Sequence, residues 1–279
     1  MKDAPEKPVL LKVTGLKAYL ADSGKPLLQN ISFSIGEGEL VGLLGQSGSG
    51  KSLTSLAVTG LLPASIRAEG SIVLAGNEIT GSAEGALNMI RGKDVSIIFQ
   101  EPAAALDPLM KIEKQIALPL KKHFGLRGAE LREKVYSLLE EVKLTEIRRI
   151  AASLPSEISG GQRQRTAIAL ALAASPRLLI ADEPTSSADA HIQRQLIELI
   201  QDTAKVRGMA VLFISHDIAA VRKIAERILV MKDGCIVETG NTEDIINDPR
   251  HEYTRLLLNC ARELELALKK EDPQKEGPP

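Results

Sequence analysis

Short runs of consecutive apolar residues recur along the chain and predict buried strands. They lack polar alternation, so both faces of each strand should be covered, which is typical of a parallel sheet. Helical segments lie between several of the runs, as crossover connections require. The pattern therefore predicts a wound α/β core. The runs are Leu40 to Leu44, Val95 to Phe99, Leu178 to Ala181 and Ala210 to Ser215.

Other segments have the pattern of antiparallel strands. Pro26 to Ile35 and Gly70 to Leu74 each run into a glycine-containing turn. Ile228 to Met231 and Cys235 to Glu238 flank Asp233-Gly234, a pair that favours a type I′ hairpin turn. These segments predict a β-rich edge beside the parallel sheet.

Apolar spacing becomes helical from about Pro102 to Ser156. It is plainest in Glu130 to Val142, and a further helix is predicted from Arg163 through Ala174. The polar, proline-rich end of the chain, 271–279, is predicted to be disordered. One face of the Glu130 to Val142 helix carries Leu131, Val135, Leu138, Leu139 and Val142.

The composition of the chain limits the kinds of function that it could have. The 279 residues include 35 basic and 36 acidic ones and no Trp. The chain therefore has no net positive charge to attract nucleic acid and few aromatic side chains on which bases could stack, so nucleic acid is not a predicted partner. Apolar stretches fall short of the roughly 18 residues that span a bilayer. Cys235 and Cys260 form no metal-binding or disulfide pattern. These features predict a protein of the reducing cytosol without a membrane-crossing segment.

A phosphate-binding motif follows the first apolar run. It matches G-x-x-x-x-G-K-[ST], in which backbone N–H groups surround phosphate oxygens. Lys51 would neutralise β/γ charge and the Ser52 hydroxyl would ligate Mg²⁺. An ordinary glycine-rich turn is the alternative reading. The motif, called the phosphate cradle below, consists of Gly45, Gln46, Ser47, Gly48, Ser49, Gly50, Lys51 and Ser52.

Titratable side chains end two further strands. Asp182 and Glu183 follow one run and His216 follows another, at the sheet edge where α/β proteins place ligands. Asp182 is predicted to hold Mg²⁺ and Glu183 to orient the attacking water. His216 is predicted to contact the γ-phosphate, although alone it would read as a structural histidine. Adjacent carboxylates would repel without a cation.

Ser159-Gly160-Gly161-Gln162 precedes the predicted Arg163 helix, and with Ile158 it resembles the L-S-G-G-Q signature of the ABC ATPase family. The resemblance extends to Gln100 and to Asp189, although Ser186 to Asp189 departs from the usual S-A-L-D. It implies ATP and Mg²⁺ as cofactors, with Gln100 contacting the metal or the water. It also implies that the signature faces the cradle of a second, homologous but non-identical ATPase subunit, and that Asp189 lies at this shared site.

The same resemblance implies the fold and the other partners. The fold would be α/β, a P-loop NTPase core with a mostly parallel sheet, an antiparallel β subdomain and an inserted helical subdomain. Its parts would be a core of 1–99 and 165–243, a helical subdomain of 100–164 and a C-terminal segment of 244–270. Two integral membrane permeases and an extracytoplasmic solute-binding protein would complete a transporter at the cytoplasmic face of the inner membrane.

Family members stack adenine on an aromatic residue upstream of the cradle. Tyr19 is the candidate, with Leu20 as the alternative alignment and an ordinary strand role as the alternative reading. Tyr19 is therefore expected to lie near the nucleotide base.

Three segments resemble the dipeptide, oligopeptide and nickel importer branch. They are Phe99 to Pro108, Gly60 to Pro63 and Asn247 to Thr254. The compact Gly60 to Ile66 segment and the single Cys260 near the end favour the nickel-import subunit, so nickel or a chelated metal is the expected cargo and peptides are the alternative. A soluble ABC ATPase of DNA repair or translation and a nucleotide sensor without turnover are further alternatives. The single module and Glu183 oppose them.

Overall fold

The computed structural model describes residues 7–100, 105–185 and 190–271. Two sheets and a set of helices make up this part of the chain. The strands are β1 (Val9–Leu20), β2 (Pro26–Gly36), β3 (Leu40–Leu44), β4 (Ile66–Leu74), β5 (Asn77–Glu78), β6 (Val95–Ile98), β7 (Leu178–Asp182), β8 (Ala210–Ser215), β9 (Arg227–Lys232) and β10 (Cys235–Asn241). The helices are α1 (Lys51–Val58), α2 (Glu84–Ile90), α3 (Ile112–Phe124), α4 (Gly128–Glu141), α5 (Ile147–Ala152), α6 (Gly160–Leu172), α7 (Ala190–Arg207), α8 (Ile218–Ile224), α9 (Thr242–Asn247) and α10 (Glu252–Glu271).

The six-stranded sheet has the order β10-β9-β3-β8-β7-β6. Its pairs are parallel apart from the β9–β10 hairpin. All residues of β3, β7 and β8 are buried, which explains their uninterrupted apolar runs. The predicted strands and their parallel pairing are therefore confirmed, with β6 ending at Ile98 and β7 extending to Asp182.

Alternate residues of these strands belong to two cores. In β3, Leu40 and Leu44 pack with the helices on one face, whereas Val41 and Leu43 pack with the antiparallel sheet and α1 on the other. This division follows from the period of two along a strand. The sheet is thus covered on both faces and its carboxyl edge remains available for ligands.

The antiparallel sheet has the order β2-β1-β4-β5. The predicted strand at Pro26 to Ile35 is confirmed as β2, while β4 begins at Ile66, before the predicted Gly70. The central strand, β1, was not predicted as an element. It pairs with β2 and β4 through shifts of register, and these shifts interrupt the simple alternation by which a strand is found in a sequence.

The helical insertion contains α3, α4 and α5. Val135, Leu138 and Leu139 are buried in α4, as the predicted face requires. In α3 the apolar residues Ile112, Ile116, Ala117 and Leu120 are buried, so they belong to the core. None of the helices in the described ranges is both long and apolar enough to cross a membrane.

The helix expected from Arg163 to Ala174 runs instead from Gly160 to Leu172. It starts earlier because Ser159 and Gln162 form a reciprocal capping box at its first turn. The segment 271–279, expected to be disordered, lies outside the described residues from 272 onward.

Candidate nucleotide site

A cavity of about 650 Å³ lies at the carboxyl edge of the parallel sheet. The register places the ends of β3, β7 and β8 side by side, since Leu44 pairs with Ser215 and Asp182 with Ile214. Segments that are distant in sequence therefore meet at one site. The cavity is lined by Leu27, Gln46, Ser47, Gly48, Gly50, Lys51, Ser52, Leu53, Gln100, Glu183, His216 and Leu257.

The phosphate cradle is shaped by its glycines and held by the β9–β10 hairpin. A Cβ on Gly45 would lie 2.3 Å from the Met231 carbonyl oxygen, so only glycine fits there. Gly50 has a φ of 107°, in the region that favours glycine. The Gly234 N–H donates to the Ser49 carbonyl at 2.9 Å. The loop is thus pinned against the sheet before any ligand binds.

The hairpin itself has the predicted turn. Asp233 and Gly234 have φ angles of 47° and 77°, and positive φ at both central positions is what a type I′ turn requires. The Asp-Gly pair thus places Gly234 against the cradle.

Lys51 crosses the inside of the cradle. Its ammonium group donates to the carbonyls of Gly45 at 2.8 Å and Gln46 at 2.9 Å, and lies 3.8 Å from a Glu183 oxygen. Burial lowers the pKa of Lys51, and the charges of Glu183 and Asp182 oppose that shift. The cation is therefore partly desolvated, which strengthens its attraction for a phosphate.

Asp182 contacts two serine hydroxyls of α1. Its Oδ1 accepts from Ser52 at 3.2 Å and its Oδ2 accepts from Ser55 at 3.1 Å. Burial raises the pKa of this carboxyl, and the serine hydrogen bonds oppose the shift. A hydroxyl beside a carboxylate is an oxygen donor set that suits Mg²⁺, which takes its other ligands from phosphate and water. Ser52 and Asp182 thus fit the predicted metal.

Glu183 is held in a left-handed backbone conformation, with a φ of 47°. Such a conformation costs about 1–3 kcal/mol for a non-glycine residue and is often found at functional sites. Its Oε1 lies 3.1 Å from Nδ1 of His216. The carboxylate is mostly buried, while the histidine is 60% exposed. His216 and Lys51 therefore fix the orientation of Glu183 at the cavity wall.

Gln100 also lines the cavity, two residues after the end of β6. The four residues that follow it lie outside the described ranges. Beyond that gap the Gln115 amide donates to the carbonyls of Asp107 and Met110 and accepts from the Asp107 N–H. These bonds hold the 107–110 segment against the first turns of α3.

Other predicted nucleotide residues lie away from this cavity. Ser159, Gly160, Gly161 and Gln162 begin α6 and are outside the lining. Gln164 of the same helix donates to the Pro184 carbonyl at 2.7 Å, which connects α6 to the segment after Glu183. The signature is thus fixed relative to the catalytic edge of this chain but faces elsewhere.

The remaining predicted residues fall into two groups. Tyr19, half-buried in β1 and paired with Pro26, is not among the lining residues, and neither are Gly45 and Ser49. Asp189 lies outside the described residues.

Three apolar residues of the lining were not predicted. They are Leu27 of β2, Leu53 of α1 and Leu257 of α10. Leu53 directly follows the cradle motif, whereas no motif marks Leu27 or Leu257, and Leu257 follows the cradle by about two hundred residues.

Family comparisons agree with this geometry. Residues 28–186 match the family model described as "ABC transporter". Residues 237–279 match a second model, "Oligopeptide/dipeptide transporter, C-terminal region".

Curated relatives include transport proteins from several bacteria. The chain is 44% identical over 262 residues to the peptidoglycan transport ATP-binding protein YejF of Agrobacterium fabrum, covering 92% of this chain and 48% of that protein. It is 42% identical over 238 residues to the probable D,D-dipeptide transport ATP-binding protein DdpD of Escherichia coli (85% and 73%). It is 40% identical over 253 residues to the oligopeptide transport ATP-binding protein AppD of Bacillus subtilis (89% and 77%). The chain spans about half of the first relative and about three quarters of the other two.

The expectation of nickel or a chelated metal as cargo is wrong. It depended on the compact Gly60 to Ile66 segment and on the short C-terminal part with its single Cys260. The C-terminal region nevertheless matches the oligopeptide/dipeptide transporter model, and these relatives are named for dipeptide and oligopeptide transport. Residues of an ATPase that never touch the cargo are a weak guide to it.

Solved structures share the fold. A dimeric ATP-binding cassette in a post-hydrolysis state, bound to ADP and Pi, superposes with a TM-score of 0.72 at 30% identity, over 83% of this chain and 98% of that one. The cbiO1 protein of Clostridium perfringens, part of an ABC transporter complex, superposes with a TM-score of 0.74 at 25% identity, over 94% and 100%. The predicted α/β fold with its helical subdomain is confirmed. The chain therefore belongs to the ABC transporter family and is an ATP-binding subunit, an ATPase whose reaction is coupled to transport.

Proposed function

We propose that this chain hydrolyses ATP to drive the import of peptides. Hydrolysis is supported above all by the meeting of Lys51, Asp182 and Glu183 at one edge of the sheet. A peptide cargo is supported by the C-terminal match to the oligopeptide/dipeptide transporter model and by the names of the relatives. The subunit would work at the cytoplasmic face of the inner membrane.

Glu183 is the proposed general base. A water between its carboxylate and the terminal phosphate would give a proton to Glu183 as the water oxygen bonds to phosphorus. The bond from that phosphorus to the bridging oxygen would break, and ADP would leave. His216, at 3.1 Å, holds the carboxylate in place and would also reach the γ-phosphate.

Charge on the phosphates would be balanced from two sides. Lys51 would turn from the Gly45 and Gln46 carbonyls toward the β/γ-phosphates. Ser52 and Asp182 would hold Mg²⁺, which would offset the charge developing on the phosphate oxygens. Gln100 is proposed to contact that metal or the attacking water, and its connection to α3 would carry the signal toward the permease.

The signature residues are proposed to act on a second subunit. Ser159 and Gly160 are exposed at the start of α6, where N–H groups and the helix dipole favour an anion. Their place outside this chain's own cavity supports contact with the γ-phosphate of a homologous ATPase, together with Asp189. Two permeases and a solute-binding protein would complete the importer.

A mixing experiment tests the shared site. Ser159→Arg in this chain should disable hydrolysis at the partner's cradle, because a bulky cation replaces the hydroxyl that would meet the γ-phosphate. ATP binding to this chain's own cradle should persist, as measured by calorimetry before mixing. Ser65→Arg, on an exposed residue before β4, is the matched control. Hydrolysis by separated monomers at the full rate would contradict the shared site.

Uptake measurements test the cargo. In a strain lacking this gene, restoring wild type should restore uptake of labelled oligopeptides or D,D-dipeptides, and restoring Glu183→Gln should not. Comparing the peptide classes would identify which one is carried. Uptake of every peptide class at the same level with and without the gene would reject the proposed cargo.

A further inference from the structure

The chain after the β9–β10 hairpin returns to the phosphate cradle. The Tyr253 hydroxyl oxygen accepts a hydrogen bond from the Gln46 N–H at 3.2 Å, across 207 positions of sequence. One turn later on α10, Leu257 lines the nucleotide cavity. Tyr253 and Leu257 share a helix face because they are four residues apart. This face of α10 thus forms part of the wall around the site.

Several contacts fix Tyr253 in this position. Its side chain is 5% exposed, and the Lys232 ammonium lies 5.2 Å from the ring centroid, within the range of a cation–π contact. The Glu238 carboxylate accepts from the N–H groups of Arg250 at 2.7 Å and His251 at 3.1 Å. The start of α10 is therefore anchored to the hairpin that also supports the cradle.

The bond from Tyr253 acts on a peptide group that matters to the cradle. The Gln46 N–H and the Gly45 carbonyl belong to the same planar unit. That carbonyl accepts from Lys51 at 2.8 Å while the N–H donates to Tyr253. Once Lys51 turns to a phosphate, the Tyr253 bond is the contact that keeps this plane in its orientation.

Leu257 has a different position and a different chemistry. With Leu27 and Leu53 it gives an apolar surface to a cavity whose other lining residues belong mostly to the cradle or carry polar side chains. An apolar surface suits the flat base of a nucleotide and has little attraction for phosphate. Leu256, the neighbouring residue, is 57% exposed and is not among the lining residues.

We propose that the C-terminal segment completes the nucleotide site, with Tyr253 as a positioning residue for the cradle and Leu257 as an apolar contact for the base. The inference rests on the proposed binding of ATP. The two residues differ in what they would affect. Tyr253 should influence binding of the phosphates, whereas Leu257 should influence binding of the nucleoside.

Calorimetry with two probes, ATP and inorganic tripolyphosphate, separates these roles. Tyr253→Phe should weaken both probes by roughly three- to tenfold, the effect of losing one neutral hydrogen bond. Leu257→Ala should weaken ATP by roughly three- to tenfold and leave tripolyphosphate unchanged. Leu257→Met should recover most of the loss, and Leu256→Ala should bind both probes like wild type. Thermal unfolding verifies that each variant folds.

The results that would reject this inference differ from the results that would reject the proposed function. Wild type that fails to bind ATP would reject the nucleotide site itself. Wild type that binds, with ATP affinity unchanged in both Tyr253→Phe and Leu257→Ala, would overturn the role of the C-terminal segment alone. Equal weakening of ATP and tripolyphosphate in Leu257→Ala would overturn the base contact, because general loosening of the cradle has that effect.

Discussion

Glu183→Gln should keep ATP binding and lose turnover by about 10²- to 10⁴-fold, the usual contribution of a general base. Glutamine preserves size and hydrogen bonding but cannot take a proton from the attacking water. Its backbone would keep the left-handed conformation of Glu183, since the side chains are nearly isosteric. Phosphate release and ATP affinity, measured on the same preparation, separate chemistry from binding. ATP-bound dimers should accumulate.

The matched control is Glu198→Gln on α7, where the carboxylate pairs with Lys223 at the surface. It should hydrolyse ATP at the wild-type rate. Turnover near wild type in Glu183→Gln would move the base elsewhere. His216 would then be the first residue to replace, because its Nδ1 is already 3.1 Å from the carboxylate and it lines the same cavity.

Much of this site could be predicted because its residues carry local signals. The cradle needs glycine where a side chain would meet Met231, and it follows a strand whose apolar run reflects burial on both faces. Asp182 and His216 likewise follow apolar runs that end at one sheet edge. Such signals lie within a few residues of the group they place, so one sequence is enough to find them.

Contacts between distant segments had no such signal. Tyr253 reads as an ordinary helix residue, and its partner is a backbone N–H that any residue except proline would supply at position 46. Leu257 resembles every other leucine on α10. Register shifts in the pairing of β1 interrupt its alternating pattern, so this strand was not predicted. The capping box starts α6 at Gly160, earlier than the predicted start. The prediction of nickel as cargo was wrong for another reason, because no residue of the nucleotide site need touch the cargo.

Lys51→Ala should abolish ATP binding at ordinary concentrations, a loss of about 100-fold or more in affinity. Hydrogen bonds to charged groups contribute about 1.5–3 kcal/mol each, and Lys51 would make them to two phosphates. The substitution also leaves the Gly45 and Gln46 carbonyls without their donor, and Glu183 and Asp182 without the nearby cation. Phosphates would then meet carboxylates with less opposing charge.

Comparison with Lys51→Arg separates the contribution of the charge to ATP affinity from the contribution of the side chain's shape. Arginine keeps the charge, but a planar guanidinium does not fit a cradle shaped around the compact ammonium group of Lys51, whose side chain is 5% exposed. It should therefore bind ATP more tightly than the alanine variant and less tightly than wild type. Calorimetry measures all three, with Lys143→Ala at the surface as the control. Unchanged affinity in Lys51→Ala would mean that the phosphates bind outside the cradle, since no ligand inside it could avoid the loss of this cation.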